Sequence, residues 1–238
     1  MPATPDLQPL FPLPNVVLFP KGILPLHIFE PRYRKMMADA LKGGQTICMA
    51  LLKPGWEADY HGSPEVYRVA CVGRVVQHEE LEGGRYNVTL HGEAKVAIEG
   101  FDSDRPYRVA RVRPLHEERS WADSRDVDED VAELLALFRR VRPGPVSPVE
   151  PVGPIGPIED SAAFDLAQLF GGNVSPERVV NTVAMNVNVE PRVKQELLEL
   201  DSLGARCRAI VRYLRDSAAT QDLLDRVRHL YPADRRRN

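Results

Sequence analysis

The stretch FPLPNVVLFPKGILPLHIFEPRYRKMM, Phe11 to Met37, is the most apolar part of the chain and is broken by prolines at 12, 14, 20, 25 and 31. It lies where a secretory signal or a membrane anchor would lie. A signal needs an unbroken apolar core of roughly 7 to 15 residues, and a spanning helix needs about 20. Each interior proline removes a helix hydrogen bond, so neither reading fits and the segment belongs to a fold. No other stretch is long and apolar enough to span a bilayer, and the expectation is a soluble protein with no membrane partner.

Outward from this stretch the hydrophobic period changes twice. Tyr33, Met36, Met37, Ala40 and Leu41 share one helical face, with Pro31 in the first turn and Gly43-Gly44 as the stop. From Gln45 to Leu115 the pattern turns to β-branched runs, TICMALL, VYRVACVGRVV, RYNVTLHGEAKVAIEGF and YRVARVRPL, which read as strands. Glu82-Gly83-Gly84-Arg85 supplies a tight hairpin, and Gly73 and Gly92 inside strand patterns mark bulges or sharp bends. This is a small mixed-β barrel with one packed helix.

Beyond it the period is helical. Val127, Val131, Leu134, Leu135, Phe138 and Val141 form a stripe behind an acidic start from Asp126. Further helices are expected over Ser161–Phe170, from the Ser175-Pro176-Glu177 start to Val187, over Pro191–Leu200, from Asp201 through Leu214, and over Thr220–Leu230. The fold class is α+β: a β-rich part, residues 1–118, followed by an α-helical part, 119–238. In the segment 143–159 a proline recurs at every third position from Pro145 to Pro157, which matches the turn of a polyproline II helix. Two readings stand: a docking strip for a proline-recognising partner, or a stiff loop packed through its Val/Ile edge.

The chemistry classes are bounded mainly by exclusion. Net charge of -3 gives no general pull toward nucleic acid, and the one dense basic cluster is Arg235-Arg236-Arg237. Cys48, Cys71 and Cys207 form no CxxC pair, which points to core thiols in a reducing compartment. There is no phosphate-loop Gly-Lys, GxSxG elbow or HExxH helix, so no catalytic residue, cofactor or metal is assigned. His78-Glu79-Glu80 and His116-Glu117-Glu118 read as solvated strand ends, and His27 as a half-buried histidine. A Ser/Lys or Ser/His pair drawn from distant positions would leave no local signature and stays open. Trp56 and Trp121, in expected loops, are candidate peptide-binding anchors, or else caps on a core.

The motif Leu24-Pro25-Leu26-His27-Ile28-Phe29-Glu30-Pro31-Arg32-Tyr33 resembles the N-terminal, substrate-binding domain of the Lon protease family. The likeness continues through Val72-Gly73-Arg74-Val75-Val76, Leu90-His91-Gly92 and Lys194-Gln195-Glu196-Leu197-Leu198-Glu199. It implies a PUA-like barrel followed by helices, and a non-catalytic, cytoplasmic chain, not an enzyme, that binds unfolded or apolar protein segments in proteolysis or quality control. A separate ATP-dependent protease is then the implied partner, because no ATPase or peptidase segment occurs in these 238 residues. Pro25, Phe29, Glu30, Pro31, Arg32 and Tyr33 are expected to be architectural, with Glu30 and Arg32 tying the helix start to the sheet. Gly83 and the strand Lys95-Val96-Ala97-Ile98 depart from the family pattern. RNA binding through the PUA-like half is the alternative reading.

Overall fold

Two prolines fall inside the first strand, β1 (Asp6–Leu13), and its pairing explains how it tolerates them. Residues 6–9 pair antiparallel with β6 (Val109–Pro114), whereas 10–13 pair parallel with β3 (Thr46–Leu51). Each half of β1 thus has one strand partner, which leaves an open flank for the N–H that Pro9 and Pro12 lack. The prolines that disguise this segment in the sequence mark a strand that changes partner midway.

The computed structural model describes residues 6–60, 62–102, 104–118, 127–141 and 174–228, with side chains described as far as residue 220. The remaining strands are β2 (Ile23–Ile28), β4 (Val69–Leu81) and β5 (Arg85–Asp102), and the sheet order is β2-β5-β4-β3-β1-β6. The long strand β5 pairs with β4 on one side and, on the other, first with β2 (86–91) and then with β6 (96–102). That second contact closes the barrel and leaves β2 as an edge. Alternation along the strands sends Leu10, Cys48, Ala50, Val72, Val96, Ile98 and Val112 into one cluster. Phe11, Ile47, Met49, Val88 and Leu90 join a second cluster with Tyr33, Met36 and Met37 of helix α1 (Pro31–Lys42).

Gly92 sits at the point where β5 changes partner. A Cβ there would collide with the carbonyl of Phe19, and Gly73, paired with it across a bulge, meets Leu18. These glycines let the Leu18-Phe19-Pro20 segment cross against the sheet. At the hairpin, Gly83 and Gly84 have φ of 76° and 70°, a left-handed pair that suits glycine.

The helical part comprises α2 (Val127–Arg140), α3 (Pro176–Asn186), α4 (Pro191–Glu199) and α5 (Leu203–Arg228). Ser175 caps α3 by accepting the Arg178 N–H at 3.4 Å. The two C-terminal helices expected from the sequence are one. No Gly or Pro interrupts 205–228, Ala218 continues the buried face behind Leu214, and Thr220 Oγ1 turns back to donate to Asp216 O at 2.9 Å instead of capping a new start. The helices bury Leu134, Phe138, Val180, Val183, Leu198, Ile210 and Leu214 together with Phe19 and Val17, so the opening stretch serves both halves. The 143–159 segment, the 161–170 helix, Trp121 and the arginine tail lie outside the described residues.

Arg206 joins the halves. Its side chain is fully buried, and it donates to Leu197 O at 2.8 Å, Asn181 Oδ1 at 2.6 Å, Leu198 O at 3.3 Å, Leu200 O at 3.2 Å and the Glu117 carboxylate. Asn181 in turn donates to Pro20 O at 3.0 Å, and Lys95 donates to Leu200 O at 2.7 Å. The expectation that His116-Glu117-Glu118 is a solvated strand end holds for the exposed His116 and Glu118 and is corrected for Glu117. Glu117 is the partly buried counter-charge of Arg206, and Glu118 bridges to Ser202.

Three outcomes follow from this packing. Arg206→Met removes the nearest counter-charge of Glu117, leaving only Lys95 at 3.8 Å, and orphans Asn181 Oδ1 and the Leu197 carbonyl, so urea unfolding should show a loss of about 3–5 kcal/mol. Gly92→Ala should cost about 3 kcal/mol or more in the same measurement, since the obstructing atom is backbone and cannot rotate away. The third concerns pH. Cys48, Cys71 and Cys207 are buried free thiols, and burial pushes Cys48 and Cys207 up to about 12. Unfolded thiols ionise near about 8.5, so above that pH the unfolded state holds fewer protons and each thiol's contribution falls by up to about 1.4 kcal/mol per pH unit. Burial lowers the pKa of Lys95 and Lys194, which acts in the opposite direction at alkaline pH. The thiol contribution is therefore read as the difference in slope between wild type and Cys48→Ala over pH 8 to 10, with the variant the shallower.

Candidate peptide-binding surface

Among the described residues, β2 pairs with β5 alone. The Gly92 N–H donates to Gly22 O at 2.8 Å, and antiparallel pairing alternates hydrogen-bonded with open positions. The even-numbered residues of β2 therefore turn their backbone groups to β5. Ile23, Pro25 and His27 turn theirs to the open edge. Pro25, with no N–H, removes the middle donor of that edge, a device that blunts uncontrolled strand pairing. Its carbonyl and the N–H and C=O groups of Ile23 and His27 remain.

The side chains divide by the same alternation. Leu26 and Ile28 are fully buried in the cluster shared with α1. His27, on the other face, faces a polar ladder fixed by register: His27 opposite Asn87, and Asn87 opposite Glu79. His27 Nδ1 lies 2.8 Å from Asn87 Oδ1, and Asn87 Nδ2 donates to Glu79 Oε2 at 3.2 Å. With the Asn87 amide oxygen as acceptor, the geometry assigns the proton to Nδ1. Phe29, 37% exposed, stacks beside His27 with ring centroids 6.0 Å apart. The next rung aligns Pro25, Thr89 and Gln77, and the bulge beside Gln77 leaves Val76 unpaired and 55% exposed. The result is an open strand edge next to a sheet face that mixes apolar rings with amide and imidazole groups, which suits an extended polypeptide.

The other residues singled out in the sequence gather at the start of α1. Pro31 occupies the first helical turn. The Glu30 carboxylate accepts from Arg32 Nε at 3.0 Å and from the Tyr60 hydroxyl, and Arg32 Nη2 donates to Tyr60 O at 3.2 Å. The Arg32 guanidinium lies 4.6 Å over the Tyr33 ring, which packs 4.6 Å from Phe11. Glu30 and Arg32 thus tie the helix start to the loop after β3, where the sequence reading expected the sheet. Trp56, in a 3-10 turn of that loop, is half-buried, lies edge-on to Tyr60 at 5.5 Å and packs on the barrel cluster. Pro25 and Phe29 therefore flank the open edge, whereas Trp56 belongs with Tyr60, Glu30 and Arg32. Tyr60 and Thr89 gave no sequence signal, and Asn87 gave one only as part of the family-like run Gly84-Arg85-Tyr86-Asn87-Val88, because their place depends on strand register and loop path.

The buried Lys95 and the half-buried Lys194 are not seen in hydrolytic pairs among the described residues. Lys95 and Lys194 donate to the backbone carbonyls of Leu200 and Met185 at 2.7 and 2.6 Å. Among the described residues no cluster of three or more His, Cys, Asp or Glu could hold a metal ion, and no helix is long and apolar enough to cross a membrane.

Residues 8–216 match the family described as the ATP-dependent protease La (LON) substrate-binding domain. The chain is 28% identical over 210 residues to a Lon protease of Anaeromyxobacter dehalogenans, covering 88% of this chain and 23% of that protein. It is 25% identical over 206 residues to a Lon protease of Flavobacterium johnsoniae, covering 87% and 23%. It thus spans about a quarter of the length of these curated relatives. Among solved structures, the Lon N-terminal domain protein from Xanthomonas campestris aligns with a TM-score of 0.58 at 18% identity, over 87% of this chain and 98% of that one. The N-terminal domain of the Mycobacterium avium complex Lon protease aligns with a TM-score of 0.61 at 14% identity, over 89% and 99%. These two share the α+β fold, a barrel followed by helices. The match across both the barrel and the helices places this chain in the LON substrate-binding domain family.

Proposed function

We propose that the chain is a non-catalytic recognition module that binds unfolded or apolar protein segments along the open edge of β2. The observation that carries this reading is the edge itself: outward backbone groups at Ile23 and His27, with Phe29 beside them and Val76 two strands away on β4, both among the few large apolar side chains exposed among the described residues. In this reading the β-rich part, 1–118, bears the surface and the helical part, 119–238, buttresses it. Client capture in the cytoplasm, for proteolysis or quality control beside a separate ATP-dependent protease, is the role that fits the family. RNA suits the same face poorly, since the exposed end of β4 and its turn carry Glu79, Glu80 and Glu82.

Two substitutions at one position isolate the backbone contribution. His27→Ala removes the ring and keeps the N–H; His27→Pro removes both. Fluorescence anisotropy with a permanently unfolded, carboxymethylated protein should show His27→Pro binding about tenfold more weakly than His27→Ala, the worth of roughly one hydrogen bond. Equal binding by the two variants would remove strand addition at this edge.

A further inference from the structure

A cleft of about 220 Å³ opens between β1, the start of α1, the loop after β3 and the turn before β6. Its described lining includes three arginines, Arg32, Arg105 and Arg108, and no aspartate or glutamate. Two of these charges are offset from behind. Arg32 is paired with Glu30, and Arg105 Nη1 donates at 2.7 Å to the Tyr107 hydroxyl, which donates to Asp39 Oδ2 at 2.9 Å.

Arg108 differs. It donates through Nη1 to Pro64 O at 2.7 Å and lies 4.1 Å over the Phe101 ring, with no carboxylate bound to it among the described residues. The same ring is approached at 5.1 Å by Arg68, a second guanidinium of like charge. Burial pushes the Arg108 pKa down and Arg68 adds to the effect. A guanidinium does not give up its proton at ordinary pH, so a partly buried one without a counter-charge is costly unless an anion arrives. Leu10, Pro12 and Leu52 give the cleft an apolar wall beside these cations.

We propose that this cleft binds a carboxylate carried by a polypeptide, either a C-terminal carboxylate or an Asp or Glu side chain. A planar carboxylate matches the guanidinium fork, and an apolar wall suits the carbon skeleton that bears it. The cleft is smaller than the roughly 300–1,000 Å³ of sites for drug-sized ligands, which favours one residue's end over a nucleotide. The carrier rests on the reading that this chain binds protein segments; the anion chemistry does not.

The test uses the full chain and three small probes, N-acetyl-leucine, N-acetyl-leucinamide and N-acetyl-aspartic acid α-methylamide, whose side-chain carboxyl is free, titrated by amide and arginine Nε–H NMR. At least one acid should bind about tenfold or more tightly than leucinamide, the scale of a charge-assisted hydrogen bond. Its shifts should centre on residues 105–108 and Arg32, and binding should be lost in Arg108→Met. Arg105→Met, at an exposed position, should weaken it, which keeps the test decisive if Arg108→Met fails to fold. Leucine alone binding identifies a chain terminus, the aspartate probe alone an acidic side chain, and either supports the site. Acids no tighter than the amide, shifts centred elsewhere, or no weakening in Arg105→Met overturns it. Loss of unfolded-protein binding at β2 with the acid still bound overturns the peptide reading and leaves the carboxylate site standing.

Discussion

One charged side chain in the interior fixes how the two halves of this chain meet. Arg206 cannot shed its charge to suit a dry environment, so its burial demands that every donor be met. The donors are met from three directions: Asn181 of α3, the carbonyls at the end of α4, and Glu117 at the exit of the barrel. The end of α4 is the negative pole of its dipole, and Lys95 reaches the same Leu200 carbonyl from β5. Two cations from different halves thus converge on one helix terminus. Little freedom remains for the helices to slide on the barrel.

The barrel positions its surfaces through the partner changes of its strands. Because β5 passes from β2 to β6, the barrel closes at one end and presents an edge at the other. The segment from Pro25 to Tyr33 then runs between two distinct surfaces, with Phe29 beside the open edge and Arg32 on the wall of the arginine cleft. A short motif that reads as architecture in sequence is therefore also the link between the edge and the cleft.

Much of the architecture was legible because it is local. The switch from period 2 to period 3.6, the Pro31 start, the Ser175 cap and the hairpin glycines each need only neighbours in sequence to be read. The strands at 6–13 and 23–28 were hidden because prolines at 9, 12 and 25 are allowed only by pairings that no local pattern reveals. The same holds for Glu117, whose partner lies 89 residues away, and for the His27–Asn87–Glu79 ladder, which exists only in register. The break expected before Thr220 reflects a different limit: a threonine has the same identity whether it caps a helix or bonds back within one.

The division of β1 between β3 and β6 also has a bearing on how the chain is made. Synthesis delivers β1 before its partners: its antiparallel partner begins at Val109 and the guanidinium beside Phe19 arrives only at residue 206. For that interval the most apolar segment of the nascent chain must wait. An unbroken apolar run of this length would find other chains in the meantime, but prolines spaced through it deny both helix formation and continuous cross-strand pairing. The residues that obscure the strand in the sequence thus keep it uncommitted at the ribosome until the rest of the barrel has emerged.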